Sequence, residues 1–108
     1  MHSWLLSIGF AIALAAPSFA ETPKFTLTIK DHVFAPAELV VPSGEKIELR
    51  IVNQDQTAEE FESLDLHREK VIPGGGAVTI FVGPLKPGAY KYIGEFHPKT
   101  AFGNIIAR

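Results

Sequence analysis

The sequence predicts an all-β domain folded as a two-sheet sandwich. Several short segments alternate apolar and polar residues, and turn residues separate them about every eight to twelve positions. No segment after residue 20 repeats its apolar residues at helical spacing. The chain has 108 residues and no cysteine, so the packing of one modest core has to stabilise it without disulfides.

Residues 1–20 are predicted to be a secretory signal peptide that is cleaved after Ala20. The run from Trp4 to Ala16 has no charged residue but is too short to span a bilayer comfortably. Ser18 and Ala20 are the small residues of a cleavage site, and polar residues follow at once. The alternative is an uncleaved membrane anchor. We expect residues 21–108 to form one domain in the periplasm, without a transmembrane segment.

The first predicted strands lie in the amino-terminal half of this domain. Lys24 to Lys30 alternates strictly, which is typical of a half-buried strand. Glu38 to Val41 continues in extended form, and Pro42-Ser43-Gly44 turns the chain into a strand that ends at Asn53. Later strands are expected near Phe61 to Leu64, at Val78 to Val82, at Tyr90 to Tyr92 and at Asn104 to Ala107, with a loop between Leu64 and Pro73.

The charge of the chain excludes one class of partner. The formal net charge is −2, and residues 1–20 contain no Asp, Glu, Lys or Arg, so the domain itself keeps this charge. A protein that binds nucleic acid through its phosphates needs a basic face. We therefore expect no nucleic-acid partner.

The order of the turn and strand signals resembles the cupredoxin family over nearly the whole domain. The matching features are Phe34-x-Pro36, Gly44, Asn53-x-Asp55, Pro87-Gly88-x-Tyr90-x-Tyr92, His97 and Gly103. The resemblance implies a Greek-key β-sandwich. It also implies positions for the four blue-copper ligands: Glu59 or Glu60 for the first histidine, Gly94 for the cysteine, His97 for the second histidine, and Ala101 or Phe102 for the methionine. Without a thiolate the chain is not expected to be a blue-copper electron carrier.

A second resemblance is to the cupredoxin-like component of bacterial ferrous-iron uptake systems, a group that includes the cupredoxin domain of EfeO. The features that carry it are Glu60-Phe61-Glu62, Arg68-Glu69-Lys70-x-Ile72-x-Gly74, Leu85-x-Pro87-Gly88-x-Tyr90 and Gly94-Glu95-Phe96-His97-Pro98. It implies a periplasmic copper or iron protein that works beside a membrane iron permease and a periplasmic iron-binding protein. It leaves open whether the chain is an accessory ferroxidase.

Candidate metal ligands follow from residue type and spacing. Glu60 and Glu62 are two positions apart, as are Glu95 and His97, so in extended chain each pair points to one side. Carboxylate oxygens and imidazole nitrogens suit Cu(II), Fe or Zn. The loops that follow Asn53 and Tyr92 lie at one end of such a sandwich, and convergence of the pairs there would make a site. Glu59 and His67 are weaker candidates.

Several other interpretations stay open. The acidic run is often no more than a solvated face, or it pairs with Arg68 and Lys70. His32 is expected to be structural or exposed, and Phe96 is grouped with Phe61, Tyr90 and Tyr92 as a core aromatic. A metal-free interaction module is the alternative function, which an exposed apolar patch at Phe96 and Phe102 would favour if Glu60, Glu62 and His97 lie far apart. A hydrolase is a third possibility, although Ser43 and Ser63 have no evident His and Asp partners.

Overall fold

The computed structural model describes residues 21–108, which form two β-sheets packed face to face. The predicted signal peptide lies outside the described residues. The strands are β1 (Lys24–Lys30), β2 (Val33–Ala35), β3 (Glu38–Val41), β4 (Ile47–Asn53), β5 (Glu59–Ser63), β6 (Arg68–Ile72), β7 (Ala77–Val82), β8 (Gly88–Gly94) and β9 (Phe102–Ala107). Within the described part of the chain, no helix is long and apolar enough to cross a membrane.

The strand order mixes neighbours from both ends of the domain. One sheet has the order β2-β1-β4-β7, and the other has the order β3-β9-β8-β5-β6. The pairs β1–β4 and β3–β9 are parallel, and all other pairs are antiparallel. Between the two strands of each parallel pair, the chain crosses to the other sheet and returns. The predicted two-sheet sandwich is confirmed.

Strand alternation builds the core. In β4, Ile47, Leu49 and Ile51 point inward and are at most 1% exposed, while Glu48 and Arg50 point outward. A strand that alternates in this way buries one face and leaves the other to solvent. Three buried aromatic rings fill the space between the sheets near the carboxyl end of β4: Phe34, Phe61 and Tyr92.

Two strands were missed by the sequence prediction. The segment Leu64–Pro73 was expected to be a loop, but Arg68–Ile72 forms strand β6. This strand lies at the edge of its sheet and exposes four of its five residues, so it carries no alternation by which to recognise it. Strand β2, Val33–Ala35, is only three residues long and also lies at an edge.

Three connections meet at one end of the sandwich. They are the β1–β2 turn at Asp31 and His32, the β4–β5 loop at residues 54–58, and the β8–β9 turn at residues 95–101. Buried Asn53 holds the β4–β5 loop in place, because its side-chain amide donates to the carbonyl oxygens of Thr57 (2.9 Å) and Ile72 (3.2 Å). The predicted proximity of the loops after Asn53 and Tyr92 is confirmed.

Candidate metal centre

Glu59 is a buried carboxylate at the point where these connections meet. It is the first residue of β5 and only 1% exposed. Its Oε1 accepts hydrogen bonds from the backbone N–H groups of Glu60 (3.0 Å) and Phe96 (2.9 Å). These two amides hold the carboxylate in one orientation beneath the surface.

His97 supplies the partner of this carboxylate. Its Nδ1 lies 2.6 Å from Glu59 Oε2, and its side chain is 30% exposed. The β8–β9 turn holds the ring in place, since the backbone N–H of His97 donates to the Gly94 carbonyl and the His97 carbonyl accepts from Ala101 N–H. One edge of the imidazole thus faces the buried carboxylate while the ring keeps access to solvent.

Gly94 makes room for the carboxylate. A Cβ atom built on Gly94 would lie 2.7 Å from Glu59 Cδ, 2.9 Å from Glu59 Oε1 and 2.6 Å from the Cβ of Ala101. Contacts between carbon atoms are normally about 3.5–4.0 Å. Glu59 therefore occupies the space that a side chain at position 94 would fill.

His32 reaches the same place from the other sheet. It lies in the β1–β2 turn with φ of 58°, and its ring stacks on that of His97 with centroids 3.5 Å apart and an interplanar angle of 12°. Asp55 holds this turn: its Oδ1 accepts from Asp31 N–H (2.7 Å), and its Oδ2 accepts from His32 N–H (3.0 Å). The hydrogen bond from the His32 backbone is the main reason that the pKa of Asp55 lies below its ordinary value.

His32, Glu59 and His97 make a donor set that suits a metal ion. Each offers one ligand atom, and the three atoms lie within 4.8 Å of one another. Ligands of one ion at about 2.0–2.1 Å lie at most about 4 Å apart, so a common centre requires shifts of about 1 Å and rotation of one imidazole out of the stack. Two imidazoles and a carboxylate fit Cu(II), Fe(II) or Zn. They do not fit a copper–thiolate centre, because the chain has no cysteine.

A second, acidic group lies on the outer face of β5. Carboxylate oxygens of Glu60, Glu69 and Glu95 lie within 4.8 Å of one another. The pKa of Glu60 is raised to about 7, chiefly by a hydrogen bond with Glu69 and then by partial burial and the charge of Glu95. A hydrogen bond with Glu95 likewise raises the pKa of Glu62. These four residues are called the acidic cluster below.

The structure divides the predicted ligands between these two places. Glu59 points inward from β5, whereas Glu60 and Glu62 point outward because side chains alternate along a strand. The expectation that Glu95 and His97 point to one side was wrong, since residues 95–100 form a turn and not extended chain. Glu95 joins the acidic cluster, and His97 meets Glu59. The convergence expected for Glu60, Glu62, Glu95 and His97 therefore does not form.

Other candidates can also be placed. His67 is exposed in the β5–β6 turn with φ of 54°, and it belongs to neither group. Arg68 does not neutralise the acidic cluster: it donates to the carbonyl oxygens of Phe81 and His67. Among residues 21–108 the ion-pair contacts are those of the two histidine–carboxylate pairs, so the expected pairing of Arg68 and Lys70 with glutamates is not found.

The aromatic residues were assigned correctly with one exception. Phe61 and Tyr92 are buried and Tyr90 packs against the core. Phe96 is 50% exposed, so its assignment to the core was wrong, because the β8–β9 turn lifts it away from the sheet. Phe102, the first residue of β9, is 57% exposed. Both rings lie close in sequence to His97.

Sequence reasoning ranked the central residues poorly. His32 was expected to be structural or exposed, and Glu59 was only a weaker candidate. The usable signal for Glu59 was the alternation of β5, which puts Glu59 on the same face as buried Phe61 and Ser63. An acidic residue on a core face needs a partner. The sequence contains no comparable signal for His32, whose position depends on the turn and on contact between the two sheets.

Comparison with known proteins supports the fold and the family. A family model described as Cupredoxin-like domain matches residues 4–107. An uncharacterised protein of Rickettsia prowazekii (strain Madrid E) is 52% identical over 80 residues, which are 74% of this chain and 64% of that protein. The chain therefore spans just under two thirds of the length of this relative.

Solved structures agree on the architecture at low sequence identity. Auracyanin A, a "blue" copper protein from Chloroflexus aurantiacus, superimposes with a TM-score of 0.70 at 13% identity, over 82% of this chain and 100% of auracyanin A. A purple cupredoxin from Nitrosopumilus maritimus gives 0.59 at 18% identity, over 77% and 98% of the two chains. These similarities confirm the predicted cupredoxin-like sandwich.

Proposed function

The chain belongs to the cupredoxin-like domain family, and on that premise we propose that it binds a copper or iron ion at Glu59 and His97. The fold is one of metal binding or electron transfer. The observation that carries the proposal is the buried Glu59 carboxylate, whose Oε2 lies 2.6 Å from a histidine nitrogen. This contact brings together one carboxylate oxygen and one imidazole nitrogen, two donor types that bind copper and iron.

The donor types argue for Cu(II) or iron and against rapid electron transfer of the blue-copper kind. Oxygen and imidazole ligands suit these ions, whereas a blue-copper centre requires a cysteine thiolate. Glu59 takes up the space beside Gly94 where a side chain would project. The ion would be held by a harder, more oxygen-rich donor set.

The cellular role forms the finer part of the proposal. We place the domain in the periplasm, where it would assist ferrous-iron uptake by oxidising iron or by handing it to a permease. The support for this role is the sequence resemblance to the cupredoxin-like component of iron uptake systems. Accessory ferroxidase activity would require a partner that accepts the electron.

Metal titration of residues 21–108 tests the binding step. Calorimetry with Cu(II) and iron should show one site, and binding weaker than about 0.1 mM would refute the proposal. His97→Ala and Glu59→Gln should each lower the affinity by about 10-fold or more, because each removes a donor or its charge. His67→Asn is the matched control, since this histidine is exposed, lies outside the site and has a positive φ that Asn tolerates.

The exposed rings of Phe96 and Phe102 favour a second candidate, docking on a protein partner. Phe96 lies on the connection that carries His97, and Phe102 is the first residue of the strand that follows it. A domain that binds no metal but loses its partner when Phe96 and Phe102 are replaced by Ser would be an interaction module. A domain that binds metal and docks through the same rings would hand its ion over at the interface.

A further inference from the structure

We propose that His32 is the third ligand of this metal site and that Asp55 is the residue that orients it. The inference rests on the proposed metal binding at Glu59 and His97. It adds a donor from the opposite sheet. The site would then be a two-histidine, one-carboxylate centre shared by the β1–β2 turn and the β8–β9 turn.

The geometry of the two rings is the first support. His32 and His97 stack with 3.5 Å between centroids, although they come from different sheets and lie far apart in sequence. Ligand atoms of His32, Glu59 and His97 lie within 4.8 Å of one another. Because stacked rings direct their nitrogens along parallel planes, one ring has to rotate out of the stack before both bind one ion.

The conformation of the turn is the second support. Asp31 and His32 both have positive φ, 53° and 58°, a conformation that is uncommon for residues other than glycine. Two backbone hydrogen bonds to Asp55 hold them there. Such a backbone conformation is strained and persists where the surroundings enforce it. What it achieves here is to direct the His32 ring at His97.

Asp55 also faces the imidazole itself. Its Oδ2 lies 3.4 Å from His32 Nδ1, and its side chain is 13% exposed. Histidines that bind metals commonly give their other ring nitrogen to a carboxylate, which fixes the tautomer and the ring orientation. With Nδ1 facing Asp55, Nε2 of His32 is the atom left to bind the ion. Asn53 supports this arrangement, since its Oδ1 accepts from Asp55 N–H at 3.0 Å.

Exposure decides which side of the ion stays open. The side chains of His32 and His97 are 41% and 30% exposed, whereas that of Glu59 is 2% exposed. Glu59 would hold a bound ion from the buried side, and the more exposed His32 and His97 would hold it from the side of the solvent. Three protein ligands leave at least one position for water or a small exogenous ligand. The ligand class is therefore a divalent, borderline transition-metal ion that can exchange its outer ligand.

The test counts nitrogen donors in residues 21–108 loaded with Cu(II). Electron paramagnetic resonance of the wild type should show splitting from two imidazole nitrogens, and His32→Asn should show one. Asn tolerates positive φ, so this variant keeps the turn. His32→Gly is a second variant for which the backbone is also permitted. Both should bind Cu(II) about 10-fold or more weakly, while His67→Asn should bind like the wild type.

Asp55→Asn tests the orienting role. It keeps an oxygen acceptor but removes the charge, and loss of such a partner lowers metal affinity by about 10–100-fold. The two-nitrogen splitting should remain in this variant, because the ligand itself is still present. That combination distinguishes a positioning residue from a ligand.

The possible results separate this inference from the proposed function. If His97→Ala and Glu59→Gln weaken binding but His32→Asn binds with wild-type affinity and shows the same nitrogen splitting as the wild type, His32 is not a ligand and the proposed function stands. If the wild type binds no metal, both fail. If Asp55→Asn binds as tightly as the wild type, the role of Asp55 is refuted.

Discussion

Replacing Gly94 by Ala would test the close approach on which the site depends. The added Cβ would lie 2.6 Å from Ala101 Cβ and 2.7 Å from Glu59 Cδ. Each contact is about 1 Å shorter than an ordinary carbon–carbon contact, so either the strand or Glu59 has to move. Neither neighbour is free to move, because Ala101 is buried and Glu59 is held by Glu60 and Phe96 amides.

Two routes lead to a similar magnitude. If Glu59 stays, overpacking costs about 1–3 kcal/mol. If Glu59 moves far enough to break one of its hydrogen bonds, the loss is about 1.5–3 kcal/mol. The gain from restricting the unfolded chain, about 0.4–1 kcal/mol, is too small to offset either cost. We expect Gly94→Ala to be less stable by about 1–3 kcal/mol and to bind Cu(II) more weakly.

Urea unfolding and Cu(II) calorimetry measure the two effects separately. Gly103→Ala is the control: its Cβ would overlap the Tyr92 hydroxyl, away from Glu59, so it should lose stability and keep its metal affinity. In a Glu59→Ala background, Gly94→Ala should destabilise the domain less, because the contact with Glu59 is gone. The destabilisation due to the contact with Ala101 should remain. Wild-type stability and affinity in Gly94→Ala would refute the reasoning.

Three further predictions concern the fold around the site. The pKa of Glu60 is raised to about 7 from its ordinary 4.5, so the domain loses stability as the pH rises between these values. In urea unfolding, Glu60→Gln should therefore be as stable as the wild type near pH 4 and more stable near pH 8. Equal stability at both pH values would contradict the repulsion between Glu60 and its neighbouring carboxylates. Asn53→Ala should cost about 1–3 kcal/mol because buried carbonyls lose their donor, and a smaller loss would show that water replaces the amide. Phe61→Ala should cost about 3–5 kcal/mol, whereas exposed Phe102→Ala should stay within about 0.5 kcal/mol, both by thermal unfolding; similar losses would place the core elsewhere.

The sequence predicted the architecture because most strands carry their own signal. Lys24–Lys30 and Ile47–Asn53 alternate, so their burial follows from residue type alone. Strand β6 could not be found in this way, since an edge strand that buries only Ile72 shows no period. Its place is set by pairing with β5, which is a property of the assembled sheet.

The site was only partly predictable for a different reason. His97 was identified from its place in a motif, but its neighbours depend on how a turn directs each side chain. The turn at residues 95–100 sends Glu95 and His97 to different places. The contact of His32 with His97 bridges two sheets, and no local pattern encodes such a contact.

The parallel pairing of β3 with β9 has a consequence for when metal can be captured. Leu39 pairs with Ile105, so β3, from early in the domain, is paired only once β9, the last described strand, is in place. Folds dominated by such distant pairings fold slowly, in about milliseconds to seconds. The turn that carries His97 joins β8 to β9, so the pairing of these two strands closes it. Capture of an ion by Glu59 and His97 would therefore mark a chain that has finished folding.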